Sequence, residues 1–164
     1  MSLTQLRSRG ILDGTISAGD LASGVGGKVL QVVSATTLAN DTTTSDTFVD
    51  SSLSASITPS SASNKIFVIV SSRAGMSIGD RAPRFAIFRG ATNITGSSAT
   101  EGMTVFQANG NTVQSLSITI LDEPSTTSST TYKLRFHTQS GTSESCSTNG
   151  STGKNSITLI EIAG

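Results

Sequence analysis

The residues able to do chemistry in this sequence are few: one histidine, one cysteine, scattered carboxylates and two glycine–lysine steps. A Ser-His-Asp triad would have to use His137, and no Gly-x-Ser-x-Gly elbow is present to offer a nucleophile. A Cys-His dyad from Cys146 and His137 is formally open. Cys146 lies, however, in Gly141-Thr-Ser-Glu-Ser-Cys-Ser-Thr-Asn-Gly150, which reads as a mobile loop without a basic neighbour to lower the thiol pKa. His137 itself reads as a solvated residue on the polar side of a strand. With one Cys and one His, a structural zinc site has too few ligands. Asp41, Asp46 and Asp50 could offer oxygens to calcium, but their spacing is not that of an EF-hand and the bidentate Glu is missing, so loop solvation is the simpler reading.

Gly27-Lys28 and Gly153-Lys154 invite a phosphate-loop reading and fail it. Ala22 and Thr148 stand where the upstream glycine belongs, and Val29 and Asn155 replace the hydroxyl that would hold magnesium. A glycosidase pair would have to come from Asp80, Glu101, Asp122, Glu123 or Glu144, and Asp122-Glu123-Pro124 reads as a strand end. Stacking platforms for sugars lean on Trp and Tyr; the chain has no Trp and only Tyr132, which leaves loop polar groups as the remaining route to carbohydrate. Arg73, Arg81, Arg84 and Arg89 form one basic cluster, which could pair with acidic groups of a neighbouring subunit, dock on an acidic surface, or pair with Asp80 or Glu101 of the same chain. The expectation is a non-enzyme with no catalytic, cofactor-binding or metal-binding residues.

The elements that must carry these residues are strands. Ser and Thr make up 53 of 164 residues. In Ser115-Leu116-Ser117-Ile118-Thr119-Ile120 they alternate with apolar residues, which puts Leu116, Ile118 and Ile120 on one face and the hydroxyls on the other. Tyr132-Lys133-Leu134-Arg135-Phe136-His137 alternates in the same way, with charged residues outside. Candidate strands are Val29–Ser34, Thr47–Ile57, Lys65–Ser72, Arg84–Arg89, Gly102–Gln107, Val113–Leu121, Thr131–Thr138 and Ser156–Ala163. Turn chemistry separates them, including Thr58-Pro59-Ser60 and the Asn109-Gly110 and Asn149-Gly150 steps. The predicted fold is all-β, an antiparallel β-sandwich, jelly-roll-like, of about eight strands with an extended N-terminal arm. Residues 1–28 form the arm and 29–164 the β domain. In the arm, Gly10, Gly14, Gly19, Gly24, Gly26 and Gly27 oppose a stable helix, and Ile11, Leu12, Ile16 and Leu21 have no local core to join. These four are candidate anchoring residues for another protein.

Composition narrows the partners. Eleven basic and eleven acidic residues cancel, which argues against nucleic acid and against a polybasic membrane surface. The longest apolar run, Ile66 to Val70, is too short to span a bilayer as a helix, and the N-terminus lacks the apolar segment of a signal peptide, as expected of a protein made in a cytoplasm without a visible export signal. A single Cys excludes an intrachain disulfide. Two strands, 65–70 and 156–162, are apolar on both faces, whereas a strand of a two-sheet sandwich needs only one buried face. Ile66, Val68, Val70, Ile157, Leu159, Ile160 and Ile162 are therefore candidate subunit-interface residues, with a trimer favoured over a dimer. The alternative is a monomer whose long loops cover these strands.

Several strings resemble small virion proteins of tailed phages: Gly14-Thr-Ile-Ser-Ala-Gly-Asp-Leu-Ala22 running into Gly27-Lys-Val-Leu-Gln-Val-Val33, then Thr58-Pro-Ser-Ser-Ala-Ser-Asn-Lys-Ile66, Thr131-Tyr-Lys-Leu-Arg-Phe136 and Ser156-Ile-Thr-Leu-Ile-Glu-Ile162. Similar strings occur in tail-fibre and head-decoration proteins, and the likeness spans most of the chain. It implies a homotrimeric jelly-roll knob resembling tumour-necrosis-factor-like and C1q-like domains, displayed on the virion surface and attached to a capsid or tail protein by its N-terminal segment. The implied role is structural or adhesive, with a host surface receptor as a further partner through loops 73–83, 92–102 and 139–155. The chain lacks the repeats or coiled coil of a long fibre shaft, which favours a short spike, a cement protein or a fibre tip.

Overall fold

Alternation along the sequence becomes alternation of burial in the structure, a computed structural model that describes residues 28–77, 83–96, 101–104, 113–138, 145–148 and 153–164. Among them are eleven strands: β1 (Val29–Thr37), β2 (Asp41–Thr43), β3 (Val49–Ile57), β4 (Lys65–Met76), β5 (Arg84–Arg89), β6 (Thr92–Asn93), β7 (Met103–Thr104), β8 (Val113–Asp122), β9 (Thr130–His137), β10 (Cys146–Thr148) and β11 (Asn155–Ile162). Seven of these, β1, β3, β4, β5, β8, β9 and β11, are six residues or longer. No helix occurs among the described residues.

The strands form two antiparallel sheets. One has the order β1-β11-β4, with β8 on the far side of β4 and β10-β2 continuing beside the C-terminal half of β4. The other is β3-β9-β5, with β6 and β7 on the outer edge of β5. The long strands alternate between the sheets along the chain, and the first and last, β1 and β11, lie side by side. That is the jelly-roll-like arrangement of a double Greek key.

The core lies between the sheets. Ile66, Val68 and Val70 of β4 and Ile157 and Leu159 of β11 point inward, with no exposed surface, onto Leu53, Leu134 and Phe136 of the facing sheet. This corrects part of the interface expected from sequence. Those five residues are consumed by the chain's own second sheet and have nothing left to present to a subunit. Ile160 and Ile162 point the other way and remain partly exposed. The sequence pattern could not divide the two sets, because both faces of β4 and β11 are apolar.

Two buried carboxylates close one end of the sandwich. Glu161 and Asp122 flank Ile66 from the neighbouring strands in one register row. Glu161, with no exposed surface, accepts hydrogen bonds from Gln31 Nε2, from the Ser60 backbone N–H (2.7 Å) and hydroxyl (2.8 Å), and from Asn64 Nδ2 (2.6 Å). It thereby ties the β3–β4 connection to β1 and β11. Asp122 accepts two hydrogen bonds from Arg89 Nη1 (2.8 and 2.9 Å) and a third from the Tyr132 hydroxyl (2.7 Å), which joins β8 to the opposite sheet. At the same end, Ala163 N–H donates to the Lys28 carbonyl at 2.7 Å.

Candidate interaction surface

The outward face of the β1-β11-β4-β8 sheet carries an apolar row that crosses every strand. Register places Val32 opposite Ile160, Ile160 opposite Phe67, and Phe67 opposite Leu121. All four side chains share the solvent side, because each sits one residue out of step with the inward set. Val32 and Leu121, on the two outer strands, are 58% and 50% exposed; Phe67 and Ile160 between them are partly buried by their neighbours. Val29, 56% exposed, and Ile162 extend the patch at one end, and Ile69 extends it along β4.

Polar groups bound the patch. The Lys65–Glu123 ion pair (2.7 Å) lies beyond it at one end. On the other side come hydroxyl rows, Ser34-Thr158-Ile69-Thr119 and then Thr36-Ser156-Ser71-Ser117, with Ser34 and Thr158 hydrogen-bonded at 3.1 Å. An apolar centre with a polar rim is the usual anatomy of a protein–protein contact, and a contiguous apolar patch on a soluble domain marks an interaction site.

The groups singled out for catalysis are dispersed. Asp122 is held in the core by Arg89 and Tyr132, while Glu123 pairs with Lys65 at the surface, where that contact lowers the Glu123 pKa. Burial and the adjacent Asp122 push the Tyr132 hydroxyl far above its ordinary pKa. Cys146 is not in a mobile loop: it forms β10, wedged between Met76 of β4 and Thr43 of β2, fully buried. Burial raises its thiol to about 12, so it is not poised as a nucleophile. His137 lies on the outward face of its strand as expected, but it is only 4% exposed and not solvated. Phe48 covers it, with ring centroids 4.5 Å apart at 83°. Sequence could not have shown this, since Phe48 precedes its strand and folds over from the next one.

The three aspartates expected to be solvated have separate tasks. Asp41 accepts from Ser52 N–H (2.7 Å) and the Ser52 hydroxyl (2.6 Å). Asp50 pairs with Lys133 (2.6 Å) and Arg135; the hydrogen bond from Lys133 leads in lowering its pKa, and Arg135 adds to it. Asp46 stands at the rim of a cavity on the second sheet. No cluster of metal-ligating side chains occurs among the described residues. The arginine cluster also separates. Arg89 is committed to Asp122, Arg73 and Arg84 sit on different sheets, and Arg81 lies outside the described residues. Ile11, Leu12, Ile16 and Leu21, with the rest of the expected arm before Lys28, lie outside them too, as do both Asn-Gly steps.

No protein-family model matches the sequence, and no curated protein matches it.

Proposed function

We propose that this chain is a non-enzymatic structural protein of a phage virion, a homotrimeric surface knob serving as a capsid decoration (cement) protein or a short tail fibre. The apolar row Val32–Ile160–Phe67–Leu121 is the observation that carries the assembly part of this reading. In a monomer it would stay in water. Packed around an axis, Val32 and Leu121 would each lose the half of their surface that the fold leaves open, a gain of roughly 1 kcal/mol per side chain per protomer. The interface set is then Ile160 and Ile162 from the original expectation, joined by Val32, Phe67 and Leu121. The jelly-roll-like strand order is compatible with a structural role. The virion assignment rests on the sequence resemblance, and the N-terminal segment is its anchor to a capsid or tail protein.

Light scattering on the purified chain tests the assembly, with the double variant Val32→Glu, Leu121→Glu as control. Both positions are exposed, so the variant keeps its fold and circular dichroism. A trimer that falls to a monomer in the variant supports the proposal. A monomeric native chain refutes the trimeric knob. Incorporation of chain lacking residues 1–24 into particles would separately refute the anchor.

A second reading, a receptor-binding tip for host glycan or protein, is favoured by the cavity on the other sheet.

A further inference from the structure

The first sheet ends in two open edges. Among the described residues β1 pairs only with β11, and β8 only with β4. Edge strands that remain single are usually short, charged, bulged or broken by proline. These are nine and ten residues long and contain no proline. β1 carries no charged residue, and the one charge of β8, Asp122, is turned into the core onto Arg89 and Tyr132. The β8–β4 ladder runs from Val113 to Asp122 without a register shift, and the β1–β11 ladder from Gln31 to Thr37. The nearest charges outside the core lie beyond this stretch. They are Lys28 and the Lys65–Glu123 pair at one end, and Arg73, Asp41 and Lys154 at the other.

Neither flank of the core is fully covered by the chain itself. Val33 of β1 and Ile120 of β8 point inward and pack on the core, yet both stay partly exposed. Leu159 and Val68, between them in the same register row, have no exposed surface.

The two edges are complementary at this level. Register through β11 and β4 sets Val32 level with Leu121, Val33 with Ile120 and Ser34 with Thr119. A copy placed with its β1 beside β8 therefore sets apolar against apolar on both faces of the sheet, and hydroxyl against hydroxyl next to them. Directions agree as well. Four antiparallel strands leave β1 and β8 running opposite ways, and rotation about an axis along the strands preserves each direction. The strands that meet are then antiparallel.

Dimensions select the number of copies. Four strands at about 4.8 Å make a face about 19 Å wide. Three such faces set as a triangular prism stand about 5.5 Å from its axis, close to half the ~10 Å spacing of packed sheets, so the apolar row fills the centre. Two faces would stack without joining their edges, and four would leave a channel. Sheet twist carries the edges apart away from the row, which keeps the contact local.

We infer that the knob closes head to tail, with the β8 edge of each copy at Thr119–Leu121 seated against the β1 edge of the next copy at Val32–Ser34. The occupant of each edge is a second copy of this chain. The count of three rests on the homotrimer proposed above.

The test combines light scattering on the native chain with oxidation of cysteine variants, run without reductant. Ser34→Cys and Thr119→Cys are at exposed positions beside the row and leave it unaltered. In one chain they lie three strands apart, about 14 Å, too far for a disulfide. Cys146 is fully buried and stays silent. The expected result is a native trimer, a covalent species of three copies from the double variant, and no cross-link from either single variant. A charge pair provides a second reading that needs no disulfide geometry. Ser34→Lys with Thr119→Lys should weaken assembly about fivefold per junction relative to Ser34→Glu with Thr119→Lys. A native trimer with neither effect overturns the edge contact and leaves the homotrimer standing. A covalent ladder beyond three copies upholds the edge contact and overturns the closed trimer. Cross-linking of a single variant to itself means that like edges meet on a twofold axis, and overturns both. A monomeric native chain overturns the homotrimer and the edge contact with it.

Discussion

Replacing Glu161 by Gln removes a charge from a site built to hold one. Four hydrogen bonds reach this carboxylate from Gln31, Ser60 (twice) and Asn64, and the side chain has no exposed surface. Burial alone would raise its pKa, but the donors, led by Asn64 and Gln31, outweigh burial and bring it from an ordinary 4.5 to about 2. Such a displacement corresponds to ~3 kcal/mol of preference for the ionised form in the folded state. One or two net hydrogen bonds to a charged group, about 1.5–3 kcal/mol each, would account for the same scale. Because the folded pKa is depressed, this stability is fully present above 4.5 and is lost as pH falls from 4.5 through about 2. Urea unfolding of the native chain and Glu161→Gln should therefore differ by about 3 kcal/mol at pH 7, with the gap closing as pH approaches 2. Asp50 and Glu123, also depressed, titrate alike in both proteins and cancel in the difference. A gap that stays constant from pH 7 to pH 2 would refute the argument, since the cost would then come from shape and not from charge.

Other consequences are simpler to check. Cys146 should resist a disulfide reagent at pH 8 in the native protein and react at once in denaturant, because it is fully buried with a thiol pKa raised to about 12. Tyr132→Phe removes the buried hydroxyl donor to Asp122 but leaves Arg89 in place, and should cost about 1–2 kcal/mol in thermal unfolding. Gly90, at φ 57° in the β5–β6 turn, has open space where a Cβ would stand. Gly90→Ala should therefore cost only the left-handed backbone penalty, about 1 kcal/mol. Ser125 holds a similar conformation (φ 51°) without being glycine, so Ser125→Gly should gain a few tenths to about 1 kcal/mol.

Strands with one apolar face were legible in the sequence because one face of each is solvated. The windows around Leu116–Ile120 and Tyr132–Phe136 became β8 and β9 with the inward set as read. Where both faces are apolar, as in β4 and β11, period two carries no information about which face is the core, and the interface residues were assigned to both. Short elements escaped for a different reason. Cys146–Thr148 is held as β10 by pairing with β2 and β4, and three residues flanked by Ser, Thr and Gly have no local signature of a strand. The cavity was the least legible feature. Asp46, Ala91 and His137 are far apart in sequence and adjacent only because β3, β5 and β9 pair.

The Lys28–Ala163 hydrogen bond has a topological meaning. It brings the point where the chain joins the sandwich to within one peptide of the point where it leaves, at the end opposite Phe48 and His137. The β domain is thus almost a closed circuit, opened at a single corner. A short linker across that corner, with a new break in the exposed Glu123–Ser129 connection, would give a circular permutant with every strand pair intact. Anything fused to Gly164 in the natural order would emerge beside Lys28, whereas cargo carried at the new break would emerge elsewhere on the domain.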